Sequence, residues 1–143
     1  SFRQIERVEW DTLLFFFGII FAVGGLGVLG YLALASEALY VGLGPTYANV
    51  IIGGLSAIVD NIPLMFAVLT MDPAMSDGQW LLITLTCGTG GSMLAIGSAA
   101  GVALMGQAKG YYTFMSHIKW SWAVALGYIA SIFVHIWINA HLF

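Results

Sequence analysis

The chain alternates between long apolar segments and short polar ones. Residues 12–34 form an uninterrupted apolar segment, and residues 120–143 form another. Each has the roughly 20 residues that an α-helix needs to cross the hydrocarbon core of a bilayer. Trp10, Tyr31 and Trp120 lie near the ends of these segments, where aromatic side chains commonly anchor a helix at the membrane interface. We therefore predict two membrane spans, over 12–34 and 120–143.

Two further apolar segments, 46–70 and 80–105, are each interrupted. The first contains Asp60-Asn61-Ile62-Pro63 and the second Cys87-Gly88-Thr89-Gly90-Gly91-Ser92. Pro63 disfavours helical geometry at Ile62 and suits the first position of a new helix. At ~1.5 Å per residue, neither part of 46–70 can cross a ~30 Å core alone. The pattern predicts a re-entrant hairpin, or else one broken span, over 46–70, and a broken span over 80–105.

Charge placement decides between these two alternatives. Residues 35–44 form a short interfacial connector, and 109–119 a polar loop. A re-entrant 46–70 places all basic residues on one side of the membrane and the acidic connector residues on the other. These are Arg3, Arg7, Lys109 and Lys119 on one side, and Glu37, Asp72 and Asp77 on the other. The positive-inside rule favours this arrangement, with 109–119 and the N-terminus cytoplasmic and the C-terminus outside.

Composition excludes a soluble domain. Hydrophobic residues make up 60% of the chain and charged residues 8%, against about 25% charged in soluble domains. The single cysteine, Cys87, provides neither an intramolecular disulfide nor metal-ligand spacing. No basic patch suggests a nucleic-acid partner. Residues 1–11 are a charged flank rather than a signal peptide, and the initial Ser1 suggests a processed chain or a piece of a longer one.

Asp60 is the strongest functional candidate. A charge at mid-bilayer costs at least ~2.5–3.5 kcal/mol, so an acid within an apolar segment is functional by default. Asn61 adds an amide oxygen, and hard cations such as Na⁺ prefer oxygen ligands. Because desolvation favours the protonated form of a carboxylic acid, such a group can exchange a proton for a cation. The alternative is a structural Asp60 that caps the following helix.

The glycine-rich interruption is the second candidate. Gly88, Gly90 and Gly91 are expected to unwind and free backbone carbonyls, while Thr89 and Ser92 add hydroxyls. Irregular backbone at membrane depth is tolerated only where protein or a water-filled cavity covers it. The alternative is a kink that serves packing. Ser56 and Ser98 are possible further ligands. We predict that His117 is a solvated loop residue and that His135 is a packing histidine rather than a proton relay.

The two interruptions carry a family resemblance. The stretches Ser56–Pro63 and Cys87–Ala103 resemble the two hallmark segments of NhaD-type sodium/proton antiporters. These belong to the ion transporter superfamily, which also includes dicarboxylate carriers and arsenite pumps. In the dicarboxylate carriers a Ser-Asn-Thr signature occupies the hairpin tip. Here Val59-Asp60-Asn61 takes its place, and an acid there repels anions and attracts cations.

The resemblance implies two inverted repeats, each with a hairpin and a broken helix, usually in a homodimer. This chain resembles the C-terminal repeat, so its expected partners are the N-terminal repeat and the lipid of an inner membrane. We predict an all-α membrane protein that exchanges Na⁺ or Li⁺ for H⁺ through Asp60, with Asn61, Thr89 and Ser92 as further ligands and no cofactor. The alternatives are a dicarboxylate or arsenite carrier on this fold and a non-transporting membrane subunit. No catalytic constellation indicates an enzyme.

Overall fold

The computed structural model describes residues 10–108 and 110–143, which contain helices and no strand. The α-helices are α1 (Trp10–Val28), α2 (Tyr31–Ser36), α3 (Pro45–Leu55), α4 (Asn61–Met71), α5 (Asp77–Gly90), α6 (Ala99–Gln107), α7 (Phe114–Ile118) and α8 (Ser121–Ile138). A π-helical segment, Glu37–Val41, continues α2, and a 3-10 turn, Ala140–Leu142, follows α8. The predicted all-α class is therefore confirmed for the described residues.

The chain bends sharply after α1. Gly30 has a φ of 82°, and the helical arm Tyr31–Val41 leaves α1 at an angle of 82°. Glycine adopts this left-handed conformation without the steric penalty of a Cβ atom. The structure thus differs from the single helix predicted over 12–34. The helical arm also takes up most of the predicted connector at 35–44.

Among the described residues one helix is long and apolar enough to cross a membrane, and a second span results only if α1 and its bent arm are counted as one. α8 qualifies as one continuous helix, while α1 qualifies together with its bent arm. α4 is apolar but too short to qualify. Large side chains such as Phe21 on α1 and Phe133 on α8 are exposed. Such exposure of apolar surface fits contact with lipid or with another part of a membrane protein.

Helix α5 lies at the centre and packs against α3, α4 and α8, while α4 also packs against α1. The contact between α3 and α5 is close because small residues line it. A Cβ atom at Gly53 would lie 2.6 Å from Thr86 Oγ1 and 2.7 Å from the Thr86 carbonyl carbon. A Cβ atom at Gly90 would overlap the Gly53 carbonyl oxygen. These two glycines let the backbones of α3 and α5 approach each other.

A buried polar network ties the first turns of α3 and α5 together. Asn49 is fully buried and donates to the Gln79 backbone oxygen at 2.9 Å and to Gln79 Oε1 at 3.0 Å. Its own side-chain oxygen accepts from the Tyr40 hydroxyl at 3.1 Å, and Gln79 Nε2 donates to Thr46 Oγ1 at 2.7 Å. Every buried side-chain nitrogen or oxygen in the described residues has a partner. The network places the π-helical segment and the beginnings of α3 and α5 at one end of the fold.

Candidate functional site

The first interruption is the irregular stretch 56–60 between α3 and α4. Asp60 caps α4, because its Oδ1 accepts a hydrogen bond from the Ile62 amide at 3.4 Å. The capping alternative for Asp60 is therefore realised in the structure, and the side chain remains partly exposed. Pro63 is the third residue of α4 rather than the predicted first. Proline is tolerated there because the first amides of a helix have no intrahelical acceptor.

The second interruption lies further along the chain than predicted. α5 continues through Gly90, so Gly88 and Gly90 are helical, and only Gly91 of the three predicted unwound glycines lies outside α5. The Gly91 amide still donates to the Cys87 carbonyl at 3.1 Å, and close packing of Gly90 against Gly53 holds the last turn. Irregular backbone then runs over residues 91–98 before α6 begins.

The candidate hydroxyls donate to backbone carbonyls in or beside the last turns of α5. Thr89 Oγ1 donates to the Leu85 carbonyl at 2.7 Å, and Ser92 Oγ to the Gly88 carbonyl at 3.4 Å. Ser56 Oγ, which is fully buried, donates to the Cys87 carbonyl at 2.9 Å and so joins the first interruption to α5. A hydroxyl that donates its proton keeps its oxygen lone pairs as acceptors. These oxygens can therefore still coordinate a cation.

Ser98 has a different role, as the N-cap of α6. Its Oγ accepts a hydrogen bond from the Gly101 amide at 3.2 Å. Serine is among the preferred residues at this position because its side chain satisfies an amide that the helix cannot. The Ser98 side chain thus marks the end of the second interruption.

The two interruptions touch each other at Gly97. A Cβ atom at this position would lie 2.5 Å from the Ser56 carbonyl oxygen, 2.6 Å from that of Ala57 and 2.7 Å from that of Gly91. Only glycine fits such a contact, because a side chain would displace the carbonyl groups. The structure therefore brings stretch 56–60 directly against stretch 91–98.

A cavity of about 330 Å³ lies between α4 and α5, beside the first interruption. Its lining residues are Asn61, Ile62, Met65, Thr84, Cys87 and Gly88. Asn61 and Gly88 were predicted site residues, whereas Thr84 and Cys87 were missed. The available signal was helical spacing, because Thr84 lies one turn before Gly88 and residues four apart share a helix face.

Asp60 is the one acid placed at either interruption. No group of three or more His, Cys, Asp or Glu side chains that could hold a metal ion is present in residues 10–108 and 110–143. A cation bound here would rely on the Asp60 carboxylate with amide, hydroxyl and backbone oxygens. This donor set is all oxygen, which is the chemistry that hard cations prefer.

The histidines take structural positions. His117 was predicted to be solvated, but its Nε2 contacts the Ser92 carbonyl at 3.0 Å and its Nδ1 contacts the Tyr112 hydroxyl. The side chain is partly exposed, as predicted, but it lies in α7 rather than in a loop. His135 lies between the Gly78 carbonyl, 3.0 Å from its Nε2, and Asn139 Nδ2, 3.0 Å from its Nδ1. It is the packing histidine that the sequence predicted.

Helix α8 is fastened to its neighbours by three polar side chains at intervals of seven residues. Ser121 Oγ donates to the Met93 carbonyl at 2.6 Å, and the Tyr128 hydroxyl to the Val50 carbonyl at 2.6 Å. The third contact is between His135 Nε2 and the Gly78 carbonyl. Seven residues are close to two helical turns, so the three lie on one face. The seven-residue spacing is visible in the sequence, but the carbonyl groups that the three side chains contact are not.

Comparisons with known proteins agree with a membrane transporter. Residues 3–88 match the family model described as "CitMHS: Citrate transporter". The chain is also 66% identical over 142 residues to the Na(+)/H(+) antiporter NhaD of Alkalimonas amylolytica, and 63% identical over 142 residues to that of Halomonas elongata. Each alignment covers 99% of this chain and 29% of the relative.

A similar match extends to Vibrio cholerae, whose Na(+)/H(+) antiporter NhaD is 61% identical over 142 residues, covering 99% of this chain and 30% of the relative. The chain thus spans about three tenths of the length of the curated relatives it matches. No solved structure matches it. Because the family model covers more than half of the chain, the chain belongs to the citrate transporter (CitMHS) family of membrane transporters.

Proposed function

We propose that this chain is the C-terminal repeat of a secondary antiporter that exchanges Na⁺ or Li⁺ for H⁺. The observation that carries the proposal is the contact between the two interruptions at Gly97. It brings the stretch that ends in Asp60 against irregular backbone that presents carbonyl oxygens. The similarity to sodium/proton antiporters of three bacteria supports the same function.

In the proposed mechanism the Asp60 carboxylate holds either a proton or a cation. Asn61 supplies an amide oxygen from the next position, where it lines the cavity between α4 and α5. Thr89 and Ser92 supply hydroxyl oxygens, with Ser56 and Ser98 as further ligands. Because both ions compete for the same oxygens, a cation binds only when the proton leaves. Alternate exposure of the site to the two sides of the membrane then couples the two fluxes.

Anionic substrates fit this site poorly. The stretches 56–60 and 91–98 contain no Arg or Lys, while the first contains the carboxylate of Asp60. A citrate, dicarboxylate or arsenite anion would meet a like charge with no cationic side chain to offset it. The substrate in the family description is therefore not proposed for this chain.

We further propose that α3 and α4 form a re-entrant hairpin with its tip at 56–60. Each helix has 11 residues, or ~16 Å, about half of a ~30 Å core. α4 runs beside α1 in the same direction, since Ile62 lies near Phe16 while Thr70 lies near Gly27. The hydrogen bonds of Asn49 to Gln79 put the open end of the hairpin beside the start of α5.

The proposed hairpin opens to the outside, with the N-terminus in the cytoplasm and the C-terminus outside. Asp77 and Lys119 are both exposed, whereas Arg3, Arg7 and Lys109 lie outside the described residues. In a cysteine-depleted full-length transporter, we expect an impermeant thiol reagent added to intact cells to label Asp77→Cys but not Lys119→Cys. Labelling of Lys119→Cys together with protection of Asp77→Cys would contradict this orientation.

The proposed site needs a partner repeat. Irregular backbone within a bilayer must be covered by protein or line a water-filled cavity, because lipid cannot satisfy its polar groups. We propose that the N-terminal repeat of the same transporter covers stretches 56–60 and 91–98. The assembled protein would lie in the inner membrane as a homodimer, with the exposed apolar faces of the fold against lipid or protein.

The function is tested with the full-length transporter in proteoliposomes that carry an imposed pH gradient. We expect added Na⁺ or Li⁺ to dissipate the gradient, while K⁺ has little effect. Citrate should neither dissipate the gradient nor accumulate inside the vesicles. Accumulation of citrate without any response to Na⁺ would instead support an anion carrier and contradict the antiport proposal.

A further inference from the structure

We propose that His117 and Ser121 are positioning residues that fix the second interruption of the proposed ion site. They lie at the junction between α7 and α8, and neither belongs to stretches 56–60 or 91–98. The inference rests on the proposed function of that site. It assigns a role to two residues that the transport mechanism itself does not use.

The two side chains hold consecutive carbonyl groups. His117 Nε2 lies 3.0 Å from the Ser92 carbonyl oxygen, and Ser121 Oγ donates to the Met93 carbonyl at 2.6 Å. Both carbonyls belong to stretch 91–98, where no regular helix orients them. Two adjacent peptide groups are therefore held by donors from one junction. We call these two contacts the carbonyl clamp.

The hydrogen-bond chemistry at His117 follows from its partners. A carbonyl oxygen can only accept, so Nε2 carries the proton toward Ser92. In the tautomer with the proton on Nε2 alone, Nδ1 accepts from the Tyr112 hydroxyl, which holds the ring in place. Both ring nitrogens are thus satisfied, and the imidazole has a fixed orientation. This arrangement is typical of a side chain that positions another group.

The clamped carbonyls follow Gly91, which takes part in the contact between the two interruptions. The Gly91 carbonyl, next to Ser92, faces Gly97, as do the carbonyls of Ser56 and Ala57. The Met93 amide donates back to the Gly90 carbonyl at 2.9 Å, so the clamped segment begins where α5 ends. Rotation of the Ser92 or Met93 peptide groups would therefore change how stretch 91–98 meets stretch 56–60.

Local hydrogen bonds fix the start of α7 at this junction. Thr113 and Ser116 form a capping box at the start of α7, with side chain-to-amide distances of 3.2 and 2.9 Å. The Tyr128 and His135 contacts fix the rest of α8 against α3 and α5. Ser121 is thus carried by a helix that is anchored at two other points, while His117 lies on α7, whose start is fixed by the capping box.

The test uses the full-length transporter with Ser121→Ala, and Ser131→Ala as the matched control. Ser131 Oγ also donates to a backbone carbonyl, at 2.8 Å, but that carbonyl belongs to Tyr128 of the same helix. Loss of one such hydrogen bond commonly changes an equilibrium by about two- to tenfold. We expect Ser121→Ala to accelerate amide hydrogen exchange across 91–98 by about that factor and to lower the maximal rate of sodium/proton exchange. Ser131→Ala should do neither.

Conservative variants separate positioning from general destabilisation. Ser121→Thr keeps the hydroxyl and His117→Gln keeps an N–H donor, so both should retain most of the exchange rate, whereas His117→Leu should resemble Ser121→Ala. Equal hydrogen exchange over 91–98 in Ser121→Ala and Ser131→Ala would overturn the proposal. A wild-type transporter without sodium/proton exchange would contradict the proposed function, but the hydrogen-exchange comparison would still decide whether the clamp exists.

Discussion

Replacement of Asp60 by Asn is expected to abolish sodium/proton exchange in the full-length transporter while leaving folding and membrane insertion intact. Asparagine caps a helix about as well as aspartate, so the hydrogen bond to the Ile62 amide can be kept. The amide cannot release a proton or balance the charge of a cation. The expected result is a loss of Na⁺-driven proton flux in proteoliposomes, with unchanged thermal stability in detergent.

Two further variants distinguish the capping role of Asp60 from its proposed role in ion binding. Asp60→Ser keeps a capping side chain without a carboxylate and should be as inactive as Asp60→Asn. Asp60→Glu keeps the carboxylate with a longer reach, so it should retain some exchange with a shifted pH profile. Full activity of Asp60→Asn, with unchanged pH dependence, would reduce Asp60 to a helix cap and contradict the proposed antiport mechanism.

Replacement of Gly53 by Ala is expected to destabilise the fold strongly, because α3 and α5 meet at this residue. The added methyl group would lie 2.6 Å from Thr86 Oγ1, and Thr86 is fully buried. Overpacking of this kind typically lowers the free energy of unfolding by about 1–3 kcal/mol. We expect a lower thermal midpoint of the full-length transporter in detergent and a loss of exchange, since the Ser56 contact to α5 depends on the same packing.

Gly54 provides the matched control for this substitution. It is the next residue in the same helix, and a Cβ atom there would have no neighbour within 4 Å. Alanine favours helix over glycine by about 0.5–1 kcal/mol, so Gly54→Ala should leave the midpoint unchanged or raise it. Equal midpoints for Gly53→Ala and Gly54→Ala would show that α3 and α5 are not in the close contact described.

The features that could be predicted from the sequence are those with a local cause. The composition and the apolar segments predicted the all-α class, and the family resemblance predicted a membrane transporter. Asp60 and Pro63 marked the first interruption, because a capping residue and a first-turn proline both signal the start of a helix. The start of α4 at Asn61 agrees with that signal.

Features that depend on tertiary contacts were missed. The glycines at 88 and 90 predicted unwinding, but packing of Gly90 against the Gly53 backbone keeps the last turn of α5 helical. Nothing in the sequence distinguishes Gly30, where the chain bends, from a glycine used for close helix packing. The contact of His117 with Ser92 joins residues 25 positions apart, and a single sequence does not contain that information.

A proton and a cation are proposed to compete for one carboxylate, that of Asp60. The most direct measurement is Na⁺ binding to the purified full-length transporter by calorimetry over a pH series, with buffers of different ionisation enthalpy to count released protons. This competition predicts proton release on Na⁺ binding and an apparent Na⁺ affinity that falls by up to about tenfold per unit decrease in pH, with both effects absent in Asp60→Asn. Na⁺ binding without proton release and with the same affinity at every pH, or an unchanged pH dependence in Asp60→Asn, would contradict it.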